Sequence, residues 1–247
     1  MNRMARQEWG DAAILIAALL ITWQLVSIWL GPTILPSPRQ TWAQLVVEFQ
    51  TPDFYLHLAA TGKAFGTALL IAVTFGILIG LILGAQRLAG DVMEPVLITL
   101  YSIPKIALYP VILLMFGLDI SARIAFGVIH GIIPIIIFTV TAIRNIPGVY
   151  LRTSRALRLN HSTTALRVLI PAAMPEIVAG LRIGFSLTLL GTLLGEMFAS
   201  QYGIGHILMR SMERNETSII MALALLLFLF ATLASFCLLR LDRYLRH

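Results

Sequence analysis

The stretch "AATGKAFGTALLIAVTFGILIGLILGA", residues 59–85, holds a single charge, Lys63. A helix crosses the hydrocarbon core with about 20 mostly apolar residues, so this stretch is long enough to span a membrane. Small residues recur at Ala60, Ala64, Ala68, Ala72, Gly76, Gly80 and Gly84. That spacing keeps them on one face of a helix. Lipid gives no hydrophobic drive between helices, so the face predicts close packing against another span.

Five further segments qualify as spans: 11–30, 95–116, 121–143, 169–198 and 218–239. The fifth in chain order repeats the small-residue theme with Gly180/Gly184 and Gly191/Gly195. The expected fold class is therefore all-α, a polytopic membrane protein with about six transmembrane helices. Composition agrees. The 247 residues are 58% hydrophobic and 12% charged, where a soluble domain has roughly 25% charged residues.

The net charge of +6 would suggest nucleic acid in a soluble protein. In a membrane protein it reads as the excess of Lys and Arg in cytoplasmic loops, and no nucleic-acid partner is expected. Cys237 is the only cysteine, so no disulfide forms within the chain. The histidines at 57, 130, 161, 206 and 247 show no metal-ligand spacing, and no metal site is expected.

Arg3 and Arg6 precede the apolar run 12–30, which ends at Gly31-Pro32 without a small-residue cleavage pattern. It reads as an uncleaved first span. Prolines at 32, 36 and 38 then prevent a long helix. Residues 39–50 suit a short amphipathic helix on the membrane surface, with Trp42 at the interface. Residues 1–58 thus form an N-terminal span and periplasmic segment, and 59–247 a five-helix core.

A cytoplasmic N-terminus puts Arg3, Arg6, Arg87, Arg144, Arg152, Arg155, Arg158, Arg167, Arg240, Arg243 and Arg246 on one side. Arg39, Arg123, Arg210 and Arg214 fall on the other. The positive-inside rule therefore sets both termini, and the loop near 145–168, in the cytoplasm.

Motifs for chemistry are absent: no H-E-x-x-H, no G-x-S-x-G, no phosphate-cradling glycine loop. No catalytic residue is assigned. Glu176 and Glu196 are 20 residues apart, about 30 Å along a helix, and cannot share a proton. Each reads as an interfacial acid at one end of its span. His130 alone of the histidines lies within a span and reads as a packed residue. Lys105 and Arg182 lie in otherwise apolar segments, where a cation faces a cavity or partner. They are candidates for lining a pathway, although Arg182 can also snorkel to the cytoplasmic interface.

The stretch "LRTSRALRLNHSTTALRVLIP", 151–171, is a basic island with Arg152, Arg155, Arg158 and Arg167 and no acid. The first three recur at helical spacing. Asn160 tolerates the left-handed conformation that ends helices, and Ser162 is a good N-cap for a second helix. Pro171 and Pro175 then bend the entry into the next span. The island reads as helix, turn, helix: a cytoplasmic knuckle that suits a docking surface better than a lipid-touching loop.

These residues resemble the coupling loop of binding-protein-dependent ABC importer permeases. That family's pattern is E-A-A, three residues, G, nine residues, I-x-L-P. Counting back from Pro171 sets its glycine at Arg158 and its E-A-A at Arg152-Thr153-Ser154. Ile170-Pro171 and the spacing match; the glutamate, both alanines and the glycine do not. Asn160 is then the candidate for the turn role of the missing glycine. "LYSIPKIALYPVILLMFGLDISARI" (100–124), "ILPSPRQTWAQL" (34–45) and "GEMFASQYGIGHIL" (195–208) are similar to the branch serving taurine, aliphatic sulfonates and nitrate.

The resemblance implies a bacterial inner-membrane transport subunit that is not itself an ATPase. The ATPase-docking residues would be Leu151, Arg152, Thr153, Ser154, Arg155, Ala156, Leu157, Arg158, Leu159, Asn160, His161 and Ser162, with Pro171 and Pro175 as a hinge. No cofactor is expected in this chain; ATP-Mg would sit on the partner. The implied partners are a cytoplasmic ABC ATPase dimer, a second permease copy, a periplasmic or lipid-anchored solute-binding protein, and membrane lipid. A stand-alone carrier or channel is the alternative. It would call for functional charged pairs at mid-membrane, which the sequence does not offer.

Overall fold

The computed structural model describes residues 2–245, with side chains at all of these except 2–10, 151, 161, 162, 165, 199 and 241–245. Every regular element among the described residues is helical. Among the described residues five helices are long and apolar enough to cross a membrane, and six if a bent pair is one span. The chain divides into two compact units, Met1–Leu56 with Ile207–Leu229, and His57–His206 with Phe230–His247.

In the first unit α1 (Asn2–Leu30) stops at Gly31, whose φ of +86° no ordinary helix residue adopts. The following turn folds back on α1: Ser27 Oγ donates to Leu35 O (2.8 Å) and Trp23 Nε1 to Pro36 O (3.0 Å). Helix α2 (Pro38–Gln50) starts with a capping box between Ser37 and Gln40 and with Pro38 in its first turn. Thr41 and Leu45 are buried and Trp42 is exposed, so α2 is two-faced, as its sequence predicts.

The second unit is built around α3 (Pro52–Ala85), α6 (Ile120–Arg144) and α9 (Ile170–Ala199). The small-residue face of α3 does pack closely, and its partner is α6. Ala64, Ala68 and Ala72 are fully buried. A Cβ on Gly76 would stand 2.8 Å from Ile135 Cγ2, on Gly80 2.5 Å from Thr139 Cβ, and on Gly84 2.8 Å from Ile143 Cβ. Three β-branched side chains, one per turn of α6, therefore fill three glycine notches of α3. The adjoining face of α6 does the same with α9, and Ile135 serves both seams. Gly127 and Gly131 receive Thr192 and Thr188, while Gly184 and Gly191 receive Ile135 and His130.

The segment read as one straight span over 95–116 is instead a broken crossing that starts earlier. It consists of α4 (Arg87–Ser102), a 3-10 turn (Lys105–Leu108) and α5 (Tyr109–Phe116), with a bend of 86° between its halves. The cause is Pro104, which drives Ile103 out of helical geometry (ψ 132°). Both halves pack along α6. Arg144 closes on the start of α4, with Asp91 at 2.9 Å and Glu94 at 3.3 Å. Leu97 packs with Ile136 and Val140. Tyr109 meets the Phe126 ring edge-on, and Ile112 joins the cluster with Ala122. The contacts advance steadily from the Arg144 end of α6 to its Ile120 end, so the crossing is complete.

Beyond α6 come α7 (Gly148–Ala156) and α8 (His161–Thr164). A π-helical turn over Ala165–Leu169 leads into α9, and α10 (Ile204–Glu213) and α11 (Thr217–Leu245) complete the chain.

Candidate functional site

The basic island folds as a helix, a left-handed turn and a second helix. Helix α7 carries Arg152 and Arg155, both exposed. Ser154 is buried and its hydroxyl donates to Tyr150 O (2.8 Å). The helix ends in a Schellman turn: Leu159 N donates to Ser154 O and Arg158 N to Arg155 O, each at 3.0 Å. The residue in the left-handed position is Arg158, with φ +50°.

Arg158 is the position where the family pattern carries glycine, so the turn persists although the glycine does not. The expectation for Asn160 is corrected accordingly. Its Oδ1 accepts from Thr163 N (2.7 Å) and its carbonyl from Thr164 N (2.9 Å), so it caps α8. Ser162, expected as that cap, lies inside α8, one residue past its start. The side chains of Leu151, His161 and Ser162 lie outside those described. Thr153, Ala156, Leu157 and Leu159 are exposed. A groove of about 550 Å³ runs beside them, with Val149, Tyr150, Thr153, Leu157, Leu159 and Pro171 among its walls.

Pro171 stands in the first turn of α9 and Pro175 within it. Pro171 cannot donate to the carbonyl four residues back, that of Arg167, and its ring crowds that carbonyl. The wide π turn Ala165–Leu169 falls at this place and relieves both problems.

An arginine in the left-handed region costs about 1 kcal/mol relative to glycine. Arg158→Gly is therefore expected to slow hydrogen exchange of the 153–160 amides about three- to fivefold, a gain of ~0.6–1 kcal/mol. Unchanged or faster exchange would mean that the turn stores no strain.

Lys105 and Arg182 lie apart from the island. Lys105 follows the break between α4 and α5, and its Nζ donates to Tyr101 O (3.0 Å) and lies 5.0 Å from the Tyr101 ring centre. Arg182 is half-buried on α9.

A second polar cluster escaped the sequence reading. Glu196, expected as an interfacial acid, has no exposed surface. Its Oε2 accepts from Thr61 Oγ1 (2.8 Å) and Gly205 N (3.0 Å). Arg123 Nη1 lies 4.0 Å from its Oε1 and donates to Tyr202 O (3.1 Å). Ile204 N donates to Thr61 Oγ1 (2.8 Å) and Gly203 N to His57 Nδ1 (3.0 Å). One carboxylate thus pins the 200–206 loop to α3, α6 and α9. A Cβ at Gly203 would overlap that carboxylate, and one at Gly205 would stand 2.7 Å from Glu196 Cβ. The Gly-x-Gly seven residues after Glu196 was the available signal. Its hydrogen bonds position the loop.

A broken crossing beside long glycine-notched spans, with a basic knuckle at one end, defines a multi-pass helical membrane protein. Comparison with known proteins extends this. The family described as "Binding-protein-dependent transport system inner membrane component" matches residues 72–247, and the chain belongs to it. It is 33% identical over 208 residues to the nitrate import permease protein NrtB of Synechococcus elongatus, covering 78% of this chain and 73% of the relative. A probable ABC transporter permease protein of Haemophilus influenzae is 28% identical, covering 87% of each chain. The taurine transport system permease protein TauC of Escherichia coli is 25% identical, covering 89% and 82%. The fold matches a chain of the inward-facing MetNI methionine ABC transporter with a TM-score of 0.64 at 19% identity, covering 78% of this chain and 98% of that one. The protein is an inner-membrane permease subunit of the ABC importer type.

Proposed function

We propose that this permease imports a small anion or zwitterion, driven by a separate ATPase that docks on residues 150–166. Two copies form the pathway. Both termini and the 145–168 loop face the cytoplasm, and a solute-binding protein delivers solute at the opposite face. ATP-Mg is bound by the ATPase, and its closure swings the two knuckles, with Pro171 and Pro175 as the hinge.

The observation that carries this reading is the left-handed turn at Arg158. The chain keeps the family's turn against a local cost. It thereby presents three arginines, Arg152, Arg155 and Arg158, on an exposed helix end beside an open groove. Relatives named for nitrate, aliphatic sulfonates and taurine support an anionic or zwitterionic solute, and Lys105 and Arg182 support the same class. Purification of the tagged permease from native membranes in mild detergent, with partners identified by mass spectrometry, tests the reading. Recovery of an ATPase and a solute-binding protein is expected. Recovery of the permease alone, where a known ABC complex stays intact, overturns it in favour of a stand-alone carrier.

A further inference from the structure

The break between α4 and α5 has a depth. Leu97, before it, packs with Ile136 on α6; Tyr109, after it, packs with Phe126. The break therefore stands opposite residues 127–135, around His130. His130 is about 15 Å along α6 from Ile120 and about 21 Å from Arg144. Lys105 is within electrostatic reach of His130, which agrees with this level. An 86° interruption with exposed Tyr101, Ser102, Ile103 and Pro104 thus sits near mid-membrane.

Irregular backbone at that depth is tolerated where it is buried in protein or lines a water-filled cavity, and not against lipid. The charge points the same way. A cation at the centre of a bilayer costs about 2.5–3.5 kcal/mol or more. Lys105 has no carboxylate partner among the described residues; its Nζ meets only the Tyr101 carbonyl and ring. His130 Nδ1 lies 2.8 Å from Phe126 O, and a carbonyl only accepts, so Nδ1 carries a proton and donates.

We infer that Lys105, held on Tyr101 at the break between α4 and α5, is an anion-recruiting step at mid-depth of the transport pathway. Its ligand class is a small oxyanion with one delocalised negative charge, the chemistry shared by nitrate and a sulfonate head. The break supplies the wet surface and the uncompensated ammonium supplies the attraction. The inference rests on the permease reading above, with each copy contributing one such step.

The test uses the full complex in membranes, with Cys237→Ala and a single cysteine at Ser102→Cys or, should that variant fold poorly, Ile106→Cys. Its modification by a sulfonate-bearing methanethiosulfonate is compared with that by the trimethylammonium analogue, each normalised to a free thiol. Both reagents are expected to react, with the anionic one favoured about tenfold. Lys105→Gln removes the preference and Lys105→Arg keeps it. Excess nitrate or methanesulfonate slows labelling relative to equal chloride; protection by one and not the other identifies which oxyanion the step accepts. No labelling at 102 or 106, while a Leu118→Cys control in the exposed turn between α5 and α6 labels, would overturn the wet break. An unchanged preference in Lys105→Gln would overturn the role of Lys105. Equal effects of nitrate, methanesulfonate and chloride would overturn the ligand class. Copurification of the ATPase from the same membranes separates failure of this site from failure of the permease reading.

Discussion

Gly131→Val is expected to abolish the folded permease, and Gly66→Val to leave it intact. Both are glycine-to-valine changes inside helices, so propensity does not separate them. Space does. A Cβ at Gly66 has nothing within 4 Å. At Gly131 it would overlap Thr188 Oγ1 and stand 2.9 Å from the Gly184 carbonyl. Thr188 is fully buried and the carbonyl is backbone, so neither can move alone. Overpacking costs about 1–3 kcal/mol where neighbours can adjust. Here α9 would have to leave α6, and the contacts of Ile135 with Gly184 and of His130 with Gly191 would go with it. The effect should exceed ~3 kcal/mol. Detergent size-exclusion reads it: a monodisperse peak for Gly66→Val, aggregate for Gly131→Val. Equal profiles would mean that the α6–α9 seam is softer than its geometry.

Glu196→Ala is the second large effect, at ~3–5 kcal/mol, because it strips the partner from buried polar groups. Thr61 Oγ1, the Gly205 amide and Arg123 would all face an empty acceptor position. Glu196→Gln keeps one carbonyl oxygen for Thr61 and Gly205 but turns an amide where Arg123 needs an anion, and should fall between. Melting of the purified permease is expected in the order wild type, Glu196→Gln, Glu196→Ala. Cleavage within 200–206 by a protease added at that face should rise in the same order. An alanine variant as stable and as resistant as wild type would remove the carboxylate from its place as the anchor of the loop.

Much of the architecture was legible because membrane physics is one-dimensional. Long apolar runs are spans, and the alanine–glycine stripe of α3 is a packing face whatever its partner. What the sequence could not show was partner identity: nothing in Gly76, Gly80 and Gly84 names Ile135, Thr139 and Ile143. The break at Pro104 was hidden for a different reason. Apart from Lys105 the segment 95–116 reads as one apolar run, and its prolines at 95, 104 and 110 fit kinks as well as an 86° turn. Glu196 was misread because an acid at the end of a span is ordinarily interfacial, and its burial depends on a loop folding back through Gly203 and Gly205. In the island, helix, turn and helix followed from residue types. The left-handed residue did not, since Asn160 is by propensity the better candidate and the Schellman bonds fix the turn two residues earlier, at Arg158.

The proposed docking of an ATPase on the basic island is tested directly by one comparison. Tagged wild type and the double variant Arg155→Glu/Arg158→Glu are purified side by side from native membranes, and the ATPase retained per permease is measured. The expected result is equal membrane insertion and equal yield of permease, with the ATPase lost from the double variant. A double variant that keeps its ATPase and still transports would contradict docking through the 150–166 knuckle.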